Sequence, residues 1–531
     1  QPTMSPVPFL AEMSHNSMAE YEWIVVAGAV TAFIAAFGIG ANDVANAFAT
    51  SVGSKAITIR QACFLAVVFE VSGAVLLGSH VTRTIRKGIA DADCFAGQPE
   101  VLMFGSLCVI ISVACWLLLA SYLEMPVSTT HSCVGGMIGM TVVAHGPGCV
   151  VWYESATAFP YVKGVGAIVL SWFLSPLLSS AAAAALYTTV RAAVLRAPDS
   201  FERAFRVYPL LVGFTVAINA FFMIYKGAKG LGLHKTPLRD AVGVSLGVAA
   251  VAALLTLPVG AVIKRRILTN RDLEAGREVA RRAEQMEAAA EAAARLATTA
   301  RSDEVAGPEG AQGDGEAAEA RKAASKAAQS SSDARVEAAR AEEEVAAIHA
   351  NAEVFDPRTE DVFRYLQIFT ACCDSFGHGA NDVANAVGPL AAIVVIYQTG
   401  EVSTKVDTGA TGYYILLLGG VGIALGLLLY GYKIMAALGV KIAKITPSRG
   451  FAIELGAALV IIVGSRMGWP LSTTHCQVGA TTGVALLEGT RGVNTAVLVK
   501  TAVGWVVTLV VVGCTTAALA AWGLYAPALM R

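Results

Sequence analysis

Two short stretches hold most of the chemistry this sequence can offer, and each is written twice. "GANDVANA" stands at Gly40–Ala47 and again, letter for letter, at Gly379–Ala386. It sets a carboxylate among carboxamides: Asp43 with Asn42 and Asn46 in one copy, Asp382 with Asn381 and Asn385 in the other. Residues four apart share a helix face, so Asn42 and Asn46 lie on one surface with Asp43 beside it. Hard cations prefer such oxygen ligands. Hydrogen-bonded glue between helices is the plainer use of one buried Asn. Two identical acid–amide clusters favour an ion site. Gly38, Gly40, Gly377 and Gly379 flank the motifs and permit a break in each helix, which would free backbone carbonyls to join the ligands.

The second pair does the opposite task. "PVSTTHSCVG" at Pro126–Gly135 matches "PLSTTHCQVG" at Pro470–Gly479. Ser128, Thr129, Thr130, Ser472, Thr473 and Thr474 supply six hydroxyls. Proline halts a preceding helix, and a Ser/Thr run is the usual start of the next. The first amides of that helix are unpaired and its dipole end is positive. Hydroxyls and amides together make an oxyanion site that needs no Arg. An ordinary N-cap accounts for one of these hydroxyls, not for the same triplet twice. His131 and His475 follow; they orient the hydroxyls, sense protons, or simply pack, the plainest role. A Ser-His nucleophile would want a third, orienting acid. No enzyme is expected.

What must position these residues is a membrane-embedded helical frame. The chain is 55% hydrophobic and 15% charged, against about 45–50% and 25% in soluble domains. The excess is gathered in blocks: Trp23–Gly38, Val101–Tyr122, Val165–Leu186, Tyr208–Ile224, Ala241–Ile263, Tyr413–Tyr430, Leu455–Gly464 and Val497–Trp522. Several reach the roughly 20 residues that cross a bilayer as helix. The fold class is therefore an all-α polytopic membrane protein of about twelve spans, seven before a central charged segment and about five after it. No cleavable signal peptide is expected ahead of Trp23. No basic domain points to nucleic acid.

Four segments follow: an N-terminal stretch at residues 1–22, a membrane half at 23–263, a charged loop at 264–360, and a second membrane half at 361–531. The loop is Ala/Glu/Arg-rich and helix-prone at both ends, and disorder-prone in between, at "DEVAGPEGAQGDGEAAEA" and "SKAAQSSSD". Lys264, Arg265, Arg266 and the cluster Arg191, Arg196, Arg203, Arg206 place it in the cytoplasm; the segment before Trp23 has no Lys or Arg. Arg83, Arg86 and Lys87 argue weakly the other way. Cys94 and Cys149 fall in polar loops assigned to the outside, where a disulfide and two free thiols both fit.

Both halves read GANDVANA and then PxSTTH, which is an internal duplication. An odd number of spans between the copies makes the repeats inverted in topology, an arrangement that secondary transporters use to hold ions and substrate near the midplane. An Asp at that depth is costly, roughly 2.5–3.5 kcal/mol on insertion scales, and a captured cation offsets it. Glu70 and Glu454 also interrupt apolar runs. Each is a functional candidate or a protonated structural residue.

At these motifs the chain resembles the inorganic phosphate transporter (PiT) family. The likeness covers "GANDVANAFATSVGSKAITIRQACFLAVVFE", "TIRKGI", "PVSTTH", "GHGANDVANAVGPLAAI", "ITPSRGFAIELGAAL" and "PLSTTHCQVG", and so takes in both membrane halves but not the central loop. The resemblance implies a sodium/phosphate symporter of twelve helices in two inverted repeats, usually a homodimer, in the plasma membrane with both termini outside. It puts sodium on Asp43, Asn46, Asp382 and Asn385, phosphate on the two Ser-Thr-Thr triplets, and a role in transport on Glu70 and Glu454. No bound cofactor is implied beyond the coupling ion, Na⁺ or in relatives H⁺. A sulfate permease on the same fold, and a phosphate sensor signalling through the central loop, are the alternatives; a channel is disfavoured because nothing reads as a selectivity ring.

Overall fold

The computed structural model describes residues 18–529 except 44, 79–88, 158, 160, 226–235, 300–342, 344–345, 403–408, 432–441, 468, 470 and 490–491. Most of the N-terminal stretch, the loop bearing Arg83, Arg86 and Lys87, most of the disorder-prone part of the central segment and the side chain of Asn46 lie outside the described residues. The chain forms two compact units, one of residues 258–350 and one of everything before and after it.

Thirteen α-helices make up the described regular structure, together with short 3₁₀ and π turns and one small hairpin. They are α1 (Glu22–Asn42), α2 (Ala45–Gly53), α3 (Ile59–Leu77), α4 (Pro99–Tyr122), α5 (Thr129–His145), α6 (Val165–Val190), α7 (Ser200–Ile224) and α8 (Leu238–Thr299). After the central segment come α9 (Pro357–Thr399), α10 (Gly409–Gly426), α11 (Pro447–Met467), α12 (Thr473–Leu486) and α13 (Thr495–Leu529). The stretch "RDLEAGREVARRAEQMEAAAEAAARLA" is helical, as its composition predicts, and continues α8. The hairpin pairs β1 (Glu154–Ser155) with β2 (Val162–Lys163) in antiparallel register. Beside it Cys94 and Cys149 are joined in a disulfide, with Cα atoms 6.1 Å apart.

Among the described residues, ten helices are long and apolar enough to cross a bilayer. Two further helices lie between these, α5 and α12, which are shorter, at 17 and 14 residues. Their rise is about 25 and 21 Å, less than the ~30 Å hydrocarbon layer. Both start at the Ser-Thr-Thr triplets, so each begins inside the protein rather than at a surface. Around them the outward faces are apolar: Phe64, Phe173, Leu177, Leu210, Leu254, Val499 and Trp522 are all exposed. Such a surface suits lipid, in which a helix satisfies its backbone hydrogen bonds within itself.

Packing partners repeat between the halves. In the first half α1 packs on α4 and α4 on α5; in the second, α9 packs on α11 and α11 on α12. One helix of each half crosses to the other: α6 lies on α11 and α12, and α13 on α4 and α5. The contacts of α1 with α10 and of α3 with α9 are likewise exchanged when one half is mapped on the other, and α1 meets its counterpart α9 directly.

The expected break is absent from the second octapeptide, and in the first it falls on residue 44, outside the described residues. Helix α1 ends at Asn42 and α2 starts at Ala45, whereas α9 runs unbroken through Gly379–Ala386. The glycines there serve approach rather than interruption. A Cβ on Gly40 would strike the backbone carbonyl of Ile423, and one on Gly379 would strike that of Glu70. Lipid supplies no hydrophobic drive between helices, so small residues that admit a neighbouring backbone supply the contact instead. The 43-residue α9 is enclosed over its whole apolar window, and its Ala and Val neighbours hold helical geometry without a flexible hinge.

At one end of the helices a charged lattice ties the entry of α9 to the frame. Arg449, 2% exposed, donates to Glu488 Oε1 at 2.8 Å and to the Glu353 carbonyl at 2.8 Å. The Glu353 amide donates to Glu488 Oε2 at 2.9 Å, and Arg196 holds the Glu353 carboxylate through two nitrogens. Burial tends to raise the Glu488 carboxyl, but that amide and the Arg449 guanidinium outweigh it and hold it below its ordinary value near 4.5.

Two outcomes follow. Gly40→Ala and Gly379→Ala each lower the thermal stability of the detergent-solubilised chain by about 1–3 kcal/mol or more through overpacking, while Gly97→Ala, with nothing near its added methyl, is neutral in the same melts. A carboxyl whose folded pKa is depressed stabilises above its unfolded pKa and loses that contribution as pH falls through the folded one. Stability therefore drops below about pH 4.5. Glu488→Gln flattens that acid limb and lowers stability at neutral pH by about 3–5 kcal/mol, the usual effect of stranding a buried charge.

Candidate functional site

The centre of the molecule is where α5 and α12 begin. Ser128 and Ser472 cap the two helices: each hydroxyl accepts from the amide three residues on, His131 and His475 respectively, at 3.4 Å. The two caps touch each other, Oγ to Oγ at 2.9 Å. The starts of both helices, with their unpaired amides, thus meet at one point.

The octapeptide acids face this point. Asp43 accepts from Thr129 on α5 at 2.9 Å and from Thr474 on α12 at 2.5 Å. Asp382 accepts from Thr473 at 2.6 Å and from its neighbour Asn381 at 2.7 Å. Asn385 donates to Thr129 Oγ1 at 3.0 Å and reaches Thr130 and Asp382 at 3.4 Å. All of these side chains are buried. The two motifs of each half and the two halves of the chain therefore share one network, which unites Thr129, Thr130, Asp43, Asn381, Asp382, Asn385, Thr473 and Thr474, with the Ser128–Ser472 pair capping the helix starts.

Asn42 stands apart from it. Its amide donates to the Met125 carbonyl at 2.9 Å and to Ser121 at 3.3 Å, and its oxygen accepts from the Val127 amide at 3.0 Å. It ties the end of α1 to the turn that delivers Ser128, which is a positioning task. His131 and His475 pack: His131 stacks on Trp172 at 4.4 Å, His475 tilts on Trp505 at 3.7 Å, and the two imidazoles meet at 4.8 Å.

Sequence reasoning missed His378. Its Nδ1 contacts Glu70 Oε2 at 2.9 Å and its Nε2 lies 2.9 Å from Asp382 Oδ2. Donor atoms of Asp43, His378 and Asp382 all lie within 4.8 Å of one another, close enough to hold a metal ion. The signal was available: residue 378 is His in "GHGAND" where the first copy, "GIGAND", has Ile39. Glu70 also accepts from Ser375 at 2.9 Å. Glu454 sits in a cage of its own, accepting from Thr50 at 2.5 Å, Ser51 at 2.8 Å, Thr370 at 2.8 Å and Gln367 at 3.3 Å. Neither glutamate reaches the Ser-Thr-Thr triplets directly; Glu70 connects to the centre through His378.

A sequence profile described as "Phosphate transporter family" matches residues 39–516, which takes in both motif pairs. This chain belongs to the phosphate transporter family. Among curated relatives it is 31% identical to the phosphate-repressible phosphate permease pho-4 of Neurospora crassa, over 93% of this chain and 96% of that protein. It is 30% identical to sodium-dependent phosphate transporter 1 of Felis catus, over 98% of each. A solved structure described as "The sodium-dependent phosphate transporter" superposes with a TM-score of 0.71 at 30% identity, covering 96% of this chain and all of that one. Family membership makes the chain a transport protein of the membrane, with phosphate the family's substrate, and no reaction is assigned to the hydroxyl and carboxylate groups at its centre.

Among the described residues no Arg or Lys bonds to this network. Asp43→Asn and Asp382→Asn each lower phosphate uptake at least 100-fold while leaving insertion and melting behaviour intact, because the carboxamide keeps the volume and one acceptor but loses the charge. Thr474→Val, which removes one donor to Asp43, lowers uptake less, by about tenfold, in proportion to one charge-assisted hydrogen bond of about 1.5 kcal/mol. Radiolabelled phosphate uptake checks all three.

Proposed function

We propose that this chain is a secondary symporter that imports inorganic phosphate with sodium by alternating access. The observation that carries the reading is the pair of hydrogen bonds to Asp43: one carboxylate accepts from the hydroxyls of Thr129 and Thr474, and so from both triplets. The candidate cation ligands and the candidate oxyanion donors are thus each other's partners.

This arrangement supports obligatory coupling. A hydroxyl has one proton to donate. While it points to Asp43 or Asp382 it is not available to phosphate. Sodium on the carboxylates, with the oxygens of Asn381 and Asn385 near, replaces those hydroxyls as the counter-charge. The threonines then turn their protons to the incoming oxyanion, alongside the caps Ser128 and Ser472 and the helix-start amides. A phosphate without sodium meets two uncompensated carboxylates; sodium without phosphate leaves the hydroxyls in competition. Each lowers the electrostatic cost of the other. The carboxylate and hydroxyl donors suit a hard cation, with His378 as a charge partner to Asp382 and Glu70 rather than a sodium ligand.

In this reading the two halves are inverted repeats that rock about the Ser128–Ser472 contact, which the exchange of packing partners between halves supports. The Cys94–Cys149 disulfide suits an oxidising, extracellular side. The boundaries read from the sequence put residues 1–22 outside, 23–263 and 361–531 in the membrane, and 264–360 in the cytoplasm of a plasma-membrane homodimer. Proton coupling is the second reading, favoured by the placement of His378 between Glu70 and Asp382.

Reconstituted liposomes separate the two. Phosphate uptake driven by an imposed inward Na⁺ gradient at equal pH, and little uptake under an H⁺ gradient without Na⁺, is the expected result. Uptake indifferent to Na⁺ and driven by the pH gradient would replace sodium with protons. Excess sulfate is expected to leave labelled phosphate uptake unchanged, whereas strong competition would mean that the cage reads only tetrahedral shape.

A further inference from the structure

Helix α12 carries a carboxamide that enters no hydrogen bond. Gln477 is 6% exposed, and neither its Nε2 nor its Oε1 finds a hydrogen-bond partner among the described residues. A buried polar group left this way carries its desolvation uncompensated. The doubled motif shows that the two halves differ here. Aligning Ser128, Thr129, Thr130 and His131 with Ser472, Thr473, Thr474 and His475 sets Gln477 opposite Cys133. The carboxamide is present in one half only.

Its place follows from helix geometry. Gln477 stands four residues after Thr473 and three after Thr474, so the three share a face of α12. Long side chains on a helix lean back towards its N-terminus and cover the residues three and four before them. For Gln477 those are Thr473, which donates to Asp382 at 2.6 Å, and Thr474, which donates to Asp43 at 2.5 Å. Gly479 and Gly483 meet α6 at Pro176 and Ser180, on a different side of the helix. The carboxamide thus lies over the two threonines that hold the central acids, and bonds to neither.

Its chemistry complements what the cage already offers. The hydroxyls and helix-start amides donate to phosphoryl oxygens, and in the sodium-coupled reading the carboxylates face the cation. Inorganic phosphate in neutral water keeps at least one P–O–H group, a donor that needs an acceptor. A carboxamide oxygen is a neutral acceptor, and the –NH₂ beside it donates. Sulfate is fully deprotonated and has no hydrogen to give. A site built to bond a substrate hydroxyl rejects the analogue that lacks it, because the buried acceptor is then left unpaired.

We propose that Gln477 contacts the substrate: Oε1 accepts the P–O–H hydrogen, Nε2 donates to a neighbouring phosphoryl oxygen, and the pair selects phosphate over tetrahedral anions that carry no proton. The inference rests on the sodium-coupled reading of the hydroxyl cage. The two fail separately. Phosphate binding that ignores sodium in the unsubstituted chain overturns the coupled reading, whereas failure of this inference leaves coupling in place and shows as an unaltered preference between anions.

The test is equilibrium binding of radiolabelled phosphate to the full chain in lipid nanodiscs, in saturating sodium at mildly alkaline pH, with monofluorophosphate as competitor. Both anions are then tetrahedral dianions, and fluorine stands where HPO₄²⁻ has its hydroxyl. The unsubstituted chain is expected to bind phosphate about 100-fold more tightly than monofluorophosphate. Gln477→Met, similar in length and without hydrogen-bonding groups, is expected to narrow that ratio about tenfold through weaker phosphate binding. Gln477→Cys, which copies the residue of the other half, is expected to do the same and serves if the Met variant does not fold. A side chain that only packs would weaken both anions alike. Equal affinity for the two anions in the unsubstituted chain, or a variant that keeps the unsubstituted ratio, would overturn the proposal.

Discussion

A charged carboxylate deep in a helical membrane protein must be answered from within, and here Asp43 and Asp382 each take hydroxyl hydrogen bonds from the start of another helix. Asp43 is held by hydroxyls from α5 and α12, and Asp382 by a hydroxyl from α12 and two carboxamides on its own helix. Hydroxyls compensate such charges only in part, because they bring dipoles and no positive charge. The centre is thus stable enough to fold and still short of counter-charge. Both properties suit a carrier, which has to capture its cargo and release it again. An Arg in the same place would satisfy the acids permanently and bind phosphate too well.

Everything that surrounds this centre can be read as a means of bringing four short motifs to one point. Helices α5 and α12 are short because they start there, and their caps touch at Ser128 and Ser472. Gly40 and Gly379 remove the side chains that would hold neighbouring backbones away. Asn42 spends its carboxamide on the turn before Ser128. The Arg449–Glu488–Glu353 lattice anchors the entry to α9, the helix that carries Asp374, His378, Asp382 and Asn385.

Much of this was legible in the residues. The doubled motifs announced the central network, because two acids and two hydroxyl triplets in the same order have few other uses in apolar surroundings. The apolar blocks marked most of the crossing helices. Helix α9 was harder, since Arg358, Glu360, Asp361, Arg364, Asp374 and Asp382 dilute its hydropathy, although it is the most enclosed helix of all. Burial against protein, unlike burial in lipid, leaves no apolar run to detect. The glycines were open to two uses, hinge or close approach, and only the position of a neighbouring backbone chooses between them. His378 escaped notice because it flanks the repeated letters rather than belonging to them. Its partners, Glu70 at 308 residues' distance and Asp382 four residues on, belong to different parts of the chain. Periodicity within α9 could have joined Thr370, Asp374, His378 and Asp382, but it could not have placed Glu70 beside them.

The central claim is that cation and oxyanion occupy one shared network, so that each prepares the site for the other. Thermodynamic linkage tests it without reference to transport rates: the sodium affinity of the purified chain is measured with and without saturating phosphate, and the phosphate affinity with and without saturating sodium. The account predicts that both affinities tighten, by the same factor, in the range of 5–150-fold that 1–3 kcal/mol of coupling gives. Affinities that do not respond to the other ligand would contradict it.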